Sequence, residues 1–303
     1  MKKSLPHLLL FVVNLFYGAG FTISKMVMPE YIRPMGIILI RVSITTLLFF
    51  LLHRFWLREK VQRKDMVLLA LCGLFGVVIN QEMFFLGLNI TTPINASLMM
   101  IMTPILVTVI AFFLLHEKVT WLKILGILLG GAGTFVIIGG KGFRFSGETA
   151  LGDLFILINA SSFAVYLVMV RPLMKKYHPL TVIKWVFFYG MFPVIVFGWN
   201  QFREVEWHRL TWEIWAALAF IVVCTTFLAY LFNILALREL HSSVVGAYIY
   251  LQPVLATLIS VAVGKDELSR EKIFSAALIF TGVYLVSFAG KEKMPEDELV
   301  VQE

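Results

Sequence analysis

Apolar residues in this chain gather into ten stretches, each near 20 residues long and separated by short polar links. About 20 apolar residues in a helix cover the hydrocarbon core of a bilayer. The pattern therefore predicts ten membrane-spanning helices: Leu5–Met28, Met35–Arg54, Met66–Leu88, Ile94–Leu115, Trp121–Gly139, Gly152–Met174, Leu180–Trp199, Glu213–Leu237, Ser243–Val263 and Ile273–Ala289. Links such as Asn89–Pro93 and Arg238–Ser242 leave no room for a soluble catalytic domain.

The second half repeats the first. A shift of 149 residues lays the third to fifth stretches on the eighth to tenth without a gap. Leu86 falls on Leu235, Leu88 on Leu237, Pro104 on Pro253, Thr108 on Thr257, Lys123 on Lys272, Ile124 on Ile273 and Gly133 on Gly282. Acid meets acid where Glu117 falls on Asp266. A shift of 146 pairs the first and sixth stretches more weakly, with Gly18 on Ala164 and Lys25 on Arg171. Five is odd, so the second unit enters the membrane from the opposite face. The expected fold is an all-α polytopic membrane protein of ten transmembrane helices in two inverted five-helix repeats. Residues 1–139 form the first repeat, 140–151 an extracytoplasmic linker, 152–289 the second repeat and 290–303 a cytoplasmic tail.

Composition agrees: 59% of residues are hydrophobic, 15% are charged and mean hydropathy is +0.87. The net charge of +7 is better explained by membrane orientation than by nucleic acid. Fifteen Lys and Arg residues fall on the side of the termini and nine on the other, with Arg41 and Lys184 inside spans. That excess predicts a multi-pass protein of the cytoplasmic membrane with both termini in the cytoplasm. Three basic residues between the ninth and tenth spans run against the trend, offset by Asp266, Glu267 and Glu271. Lys2, Lys3 and the apolar run after them read as an uncleaved first span, since no clear small-residue cleavage site follows. Cys72 and Cys224 lie inside spans, which argues against a disulfide.

The run Asn80-Gln81-Glu82, then Phe84-Phe85-Leu86-Gly87-Leu88, Thr91 and Thr92, Asn95-Ala96-Ser97, Pro104 and Glu117 resembles the first EamA-type repeat of the drug/metabolite transporter superfamily. Leu235-Ala236-Leu237, Ala247, Pro253, Glu267 and Gly282 resemble the second. Members of such families export amino acids, related metabolites, nucleosides or drugs, and the resemblance implies that range. Its motifs are mostly scaffold and do not point to a substrate.

Charges inside spans are costly, about 2.5–3.5 kcal/mol at mid-membrane on insertion scales. Arg41 and Glu82 both lie six residues inside predicted outer ends, roughly 9 Å deep at the helical rise, and are expected to pair. Glu82 is then a protonatable coupling group, or Arg41 a clamp for a substrate carboxylate, or the two form a structural ion pair. Lys25 and Lys184, near span ends, are expected to snorkel to the interface. Pro104 and Pro253 each remove a backbone donor in mid-span and are candidate hinges, with Thr108 and Thr257 one turn on, placed to back-bond near the kink.

Polar residues form helical stripes: Asn14 and Tyr17 with Phe21; Asn159, Ser162 and Tyr166; Thr226, Tyr230 and Asn233. Gly73, Gly76 and Asn80 suit close helix contact. The repeat makes Gln81 the partner of Tyr230, and Thr103 precedes Pro104 as Gln252 precedes Pro253. Asn14, Tyr17, Gln81, Asn95, Tyr166, Tyr230, Tyr250 and Gln252 are the expected substrate-binding set, around a polar cavity lined by spans one, three, four, six, eight and nine. Adjacent phenylalanines such as Phe84-Phe85 point about 100° apart on a helix and are assigned to packing and lipid contact. Met99 and Met102 are candidates for a soft cavity wall.

No catalytic residues, metal ligands or cofactors are expected. The six histidines sit at span ends or in loops, and no phosphate-cradling glycine loop precedes a helix. The expected function is secondary transport, as an exporter, of a small polar or amphipathic metabolite (an amino acid or similar) by alternating access. The partners are that small molecule, the lipid bilayer and, through spans five and ten, a second copy in a homodimer. The alternative is a membrane scaffold or sensor without transport, in which the polar stripes are only buried contacts.

Overall fold

In the computed structural model, helices follow one another with short connections through residues 4–57, 59–139, 147–262 and 270–289, the residues the structure describes. Lys2 and Lys3, most of the linker, the loop with Asp266 and Glu267, and the 290–303 tail lie outside them. Ten elements carry the architecture. They are α1 Leu5–Val27, α2 Pro34–Trp56, α3 Arg63–Ile90, α4 Asn95–Leu115, α5 Trp121–Gly139, α6 Thr149–Met174, α7 Pro179–Arg203, α8 Trp212–Glu239, α9 Ser242–Ile259 and α10 Arg270–Ala289. Among the described residues nine of these are long and apolar enough to cross a membrane, and α5 is a shorter apolar helix. The chain is an all-α polytopic membrane protein.

Helix starts follow local chemistry. Pro34 and Pro179 open α2 and α7 at a position whose N–H has no helical partner anyway. At the end of α4, His116 takes φ 53°, a left-handed conformation that closes the helix and turns the chain toward Glu117.

The 149-residue repeat extends to the helical irregularities. In α3 the α-helix Met66–Gly73 passes through a wider π-type turn, Leu74–Ile79, into Asn80–Ile90. In α8 the segments are Trp212–Val222, the π-type turn Val223–Leu228 and Ala229–Glu239. The two wide turns superpose residue for residue under the shift. α4 breaks between Pro93–Met99 and Met102–Leu115, and α9 passes through a tight 3₁₀ turn at Tyr248–Tyr250.

The two expected hinges come just after those irregularities. Pro104 and Pro253 lie in the first turns of the helices that follow the breaks, Met102–Leu115 and Leu251–Ala262, where a missing N–H costs little. The Met100 carbonyl that Pro104 cannot serve accepts from Thr103 N at 3.0 Å. The expected back-bond from Thr108 is absent: its buried hydroxyl has no partner.

Helices α5 and α10 pack on each other through glycine. A Cβ on Gly126 would lie 2.6 Å from the Gly282 carbonyl, so only bare backbone permits this approach. Such close packing is how membrane helices gain dispersion energy where no hydrophobic driving force exists. The pair stands apart from the cavity described next.

Candidate functional site

A cavity of about 650 Å3, counted with the open space at its mouth, lies between the two repeats. Tyr17, Gly20, Phe21 and Ser24 of α1 and Arg41 of α2 form one wall; Asn80, Gln81, Phe84 and Phe85 of α3 form another. Met100, Asn159, Phe163, Thr225, Tyr230, Ile249 and Gln252 complete it from α4, α6, α8 and α9. These positions run from mid-helix toward the end of the bundle opposite the N-terminus.

The π-type turns build its floor. Widening the helix leaves a carbonyl poorly served by backbone donors, and side chains fill the deficit. The Tyr230 hydroxyl donates to the Gly76 carbonyl at 2.7 Å. At the position 149 residues on, the Thr225 carbonyl accepts from Arg41 Nη2 at 3.3 Å. Arg41 Nε also donates to Thr226 Oγ1 at 2.7 Å, and its guanidinium lies 4.8 Å above the Phe85 ring.

The Tyr230 hydroxyl also reaches Asn80 Oδ1 at 3.0 Å, and its one proton goes to one or the other of these two acceptors. Its oxygen therefore accepts from Gln81 Nε2 at 3.2 Å. Gln252 Nε2 donates to Asn14 Oδ1 at 3.0 Å, and Asn233 Nδ2 to the Tyr17 oxygen at 3.4 Å. Asn159 Nδ2 donates to the Asn80 carbonyl at 2.6 Å, locking α6 to α3.

Tyr17, Gln81, Tyr230 and Gln252 of the expected set thus line the cavity, and Asn14 buttresses it through Gln252. Three others lie elsewhere. Asn95 sits in the first turn of α4, where its amide donates to Asp153 Oδ2 at 3.3 Å beside Thr91. Tyr166 fills the space left by Gly76, where a Cβ would come within 2.4 Å of its ring. Tyr250 packs on Gly130 and donates to the Ile101 carbonyl at 3.4 Å.

The expected Arg41–Glu82 ion pair is not formed. Arg41 is drawn to the α8 turn, while Glu82, 7% exposed, has a buried Oε1 without a hydrogen-bond partner. Lys184 is buried 3.3 Å from Nδ1 of His53, in the last turn of α2, its ammonium 4.9 Å from the Trp185 ring centroid. Lys25 reaches the Asn89 carbonyl at the helix end, 3.2 Å away.

Three features escaped the sequence reading. Phe84 and Phe85 both face the cavity, because its wall on α3 spans more than the angle between adjacent side chains; Phe21 packs on Phe84 with centroids 5.4 Å apart. Met100, rather than Met99 or Met102, reaches the cavity where α4 breaks. The third is Glu117, on the N-terminal side of the bundle. Its carboxylate meets Arg171 at 2.8 Å and Lys123 at 3.4 Å. It also accepts from Ser242 N at 3.2 Å and Ser243 Oγ at 2.9 Å, with His241 3.6 Å away. Burial alone would raise its pKa, but His241, Arg171 and Lys123 outweigh that and hold it at about 2. Its advance signs were the acid-on-acid match in the repeat and its place in the EamA-like run.

Two helical repeats with a cavity at their junction are an architecture that many membrane transport proteins built by duplication use. The EamA-like transporter family matches residues 4–139 and again residues 150–288, and the chain belongs to that family. It is similar to the uncharacterized transporter YyaM of Bacillus subtilis, with 26% identity over 95% of each chain. An uncharacterized transporter of Archaeoglobus fulgidus shares 23% identity over 89% of this chain and 94% of its own. A crystal structure of 19% identity superposes with a TM-score of 0.76 over 96% of this chain and all of its own, a likeness of fold.

Proposed function

We propose that this protein is a secondary transporter that exports a small polar or amphipathic metabolite across the cytoplasmic membrane by alternating access. The observation that carries the reading is the cavity itself, walled by both repeats and floored by Gln81 and Tyr230 from equivalent positions. A scaffold or sensor needs no such space. With the N-terminus in the cytoplasm, the cavity lies in the outer half of the bundle. The Glu117 cluster then ties the two repeats together at the cytoplasmic end. Substrate would bind among Tyr17, Gln81, Tyr230 and Gln252 against the Phe84–Phe85 wall. Return to the inner face would require the Glu117 contacts to part.

Purified protein in vesicles, loaded in turn with amino acids, hydroxy acids and nucleosides, tests this with and without a proton gradient. Counterflow of at least one class, reduced by Ala at both Gln81 and Tyr230, is expected. Folded protein that moves none of them returns the case to the scaffold reading. Thiol labelling of a cysteine placed at Glu206 in intact cells checks the orientation, since that loop should face outward.

A further inference from the structure

We propose that the cavity selects metabolites carrying a carboxylate, anchored on the Arg41 guanidinium. The assignment rests on the transport reading above and adds the chemical class of the cargo. Arg41 is 5% exposed, and each partner it has is neutral: a hydroxyl, a carbonyl and a phenyl ring. No acidic side chain among the described residues comes within 4.0 Å of it. Nη1 makes no hydrogen bond, so the planar fork retains unused N–H groups. A guanidinium in a low-dielectric setting without a counterion is costly, and its natural complement is a carboxylate taken up by charge-assisted hydrogen bonds.

Tyr17, Phe21, Phe84 and Phe163 wall the rest, which suits an apolar body and leaves no acid to hold a cation.

The test compares probes of one body on the wild-type protein in nanodiscs, reading thermal stabilisation and, in vesicles, counterflow. Phenylalanine and phenyllactate should bind about tenfold or more tightly than phenylalaninamide, the value of a lost charge-assisted contact. 3-Phenylpropionate should bind as the other acids do, and phenethylamine should not bind. Arg41→Lys should keep the preference for acids and Arg41→Gln abolish it. Arg41 also serves the α8 turn, so the acid-against-amide comparison on wild type stands even where Arg41→Gln does not fold. Equal stabilisation by acid and amide, preference for the amine, or no stabilisation by any acid overturns the proposal. Acid-selective binding without flux would instead sink the transport reading and leave the site; flux of neutral or cationic solutes alone would do the reverse.

Discussion

Gln81 and Tyr230 occupy equivalent positions of the two repeats, 149 residues apart, and are hydrogen-bonded to each other at 3.2 Å. Equivalent residues of an inverted pair can touch only where both lie close to the pseudo-twofold axis. Tyr250 and Ile101, also 149 residues apart, meet at 3.4 Å. The axis therefore passes through both contacts, and the cavity wall includes Gln81 and Tyr230 where it does. Motion of one repeat against the other about this axis would disturb these contacts least, so they are suited to persist through it.

Tyr230→Phe removes one hydroxyl that serves Gly76, Gln81 and Asn80. Stranding buried polar groups costs about 1–3 kcal/mol, so its melting temperature should fall. Combined with Gln81→Leu, the loss should be less than additive, because the single changes break the same bond. Strict additivity in a thermal-melt cycle would show that the contact carries no coupling.

Neighbouring glycines on α5 separate packing from propensity. A Cβ on Gly130 would stand 2.4 Å from the Tyr250 ring, whereas on Gly131 it would meet nothing nearer than 3.6 Å. Gly130→Ala should destabilise by about 1–3 kcal/mol through overpacking. Gly131→Ala should be neutral or stabilising by up to roughly 1 kcal/mol from helix propensity. Equal effects in a melting assay would refute the contact with Tyr250.

Glu117 sets an acid-side pH dependence. Its pKa, near 2 against an ordinary 4.5, means the folded state holds this carboxylate ionised where the unfolded chain would protonate it. The stabilisation is whole above about pH 4.5 and is lost progressively as pH falls toward 2. Glu117→Gln leaves Arg171 and Lys123 without their partner, at a cost of about 3–5 kcal/mol near neutrality. The gap in melting temperature between wild type and variant should shrink across that window. A gap that stays constant from pH 6 down to 3 would show the carboxylate is not the source.

Much of this was legible in the chain because the signals are local or repeated. Helix length is fixed by the bilayer, and the 149-residue shift located the repeat and paired Gln81 with Tyr230, which the structure brings into contact. The failures share one cause, three-dimensional choice of partner. Arg41 and Glu82 lie at matching depths, but depth does not fix rotation about the helix axis, and the π-type turn in α8 offered Arg41 a carbonyl no pattern announces. Tyr166 and Tyr250 read as cavity residues until the glycines they cover are known. The π-type turns leave no mark in hydrophobic periodicity, and Phe84 and Phe85 looked like lipid contacts because the width of the cavity was unknown.

Glu82 gives the sharpest contrast between the two readings. In an Arg41–Glu82 ion pair, Glu82→Gln would strand a buried cation and cost about 3–5 kcal/mol. The structure instead leaves Glu82 buried, its Oε1 without a donor, while Arg41 is engaged on α8. Neutralising an unpaired carboxylate removes a desolvation cost without breaking a contact. Glu82→Gln and Glu82→Leu should therefore melt at or above the wild-type temperature. If the same carboxyl carries the coupling proton, Glu82→Gln should keep counterflow of substrate but lose its response to an imposed proton gradient. A variant that melts several degrees lower would restore the ion pair. One that is stable and fully gradient-driven would leave Glu82 no part in coupling.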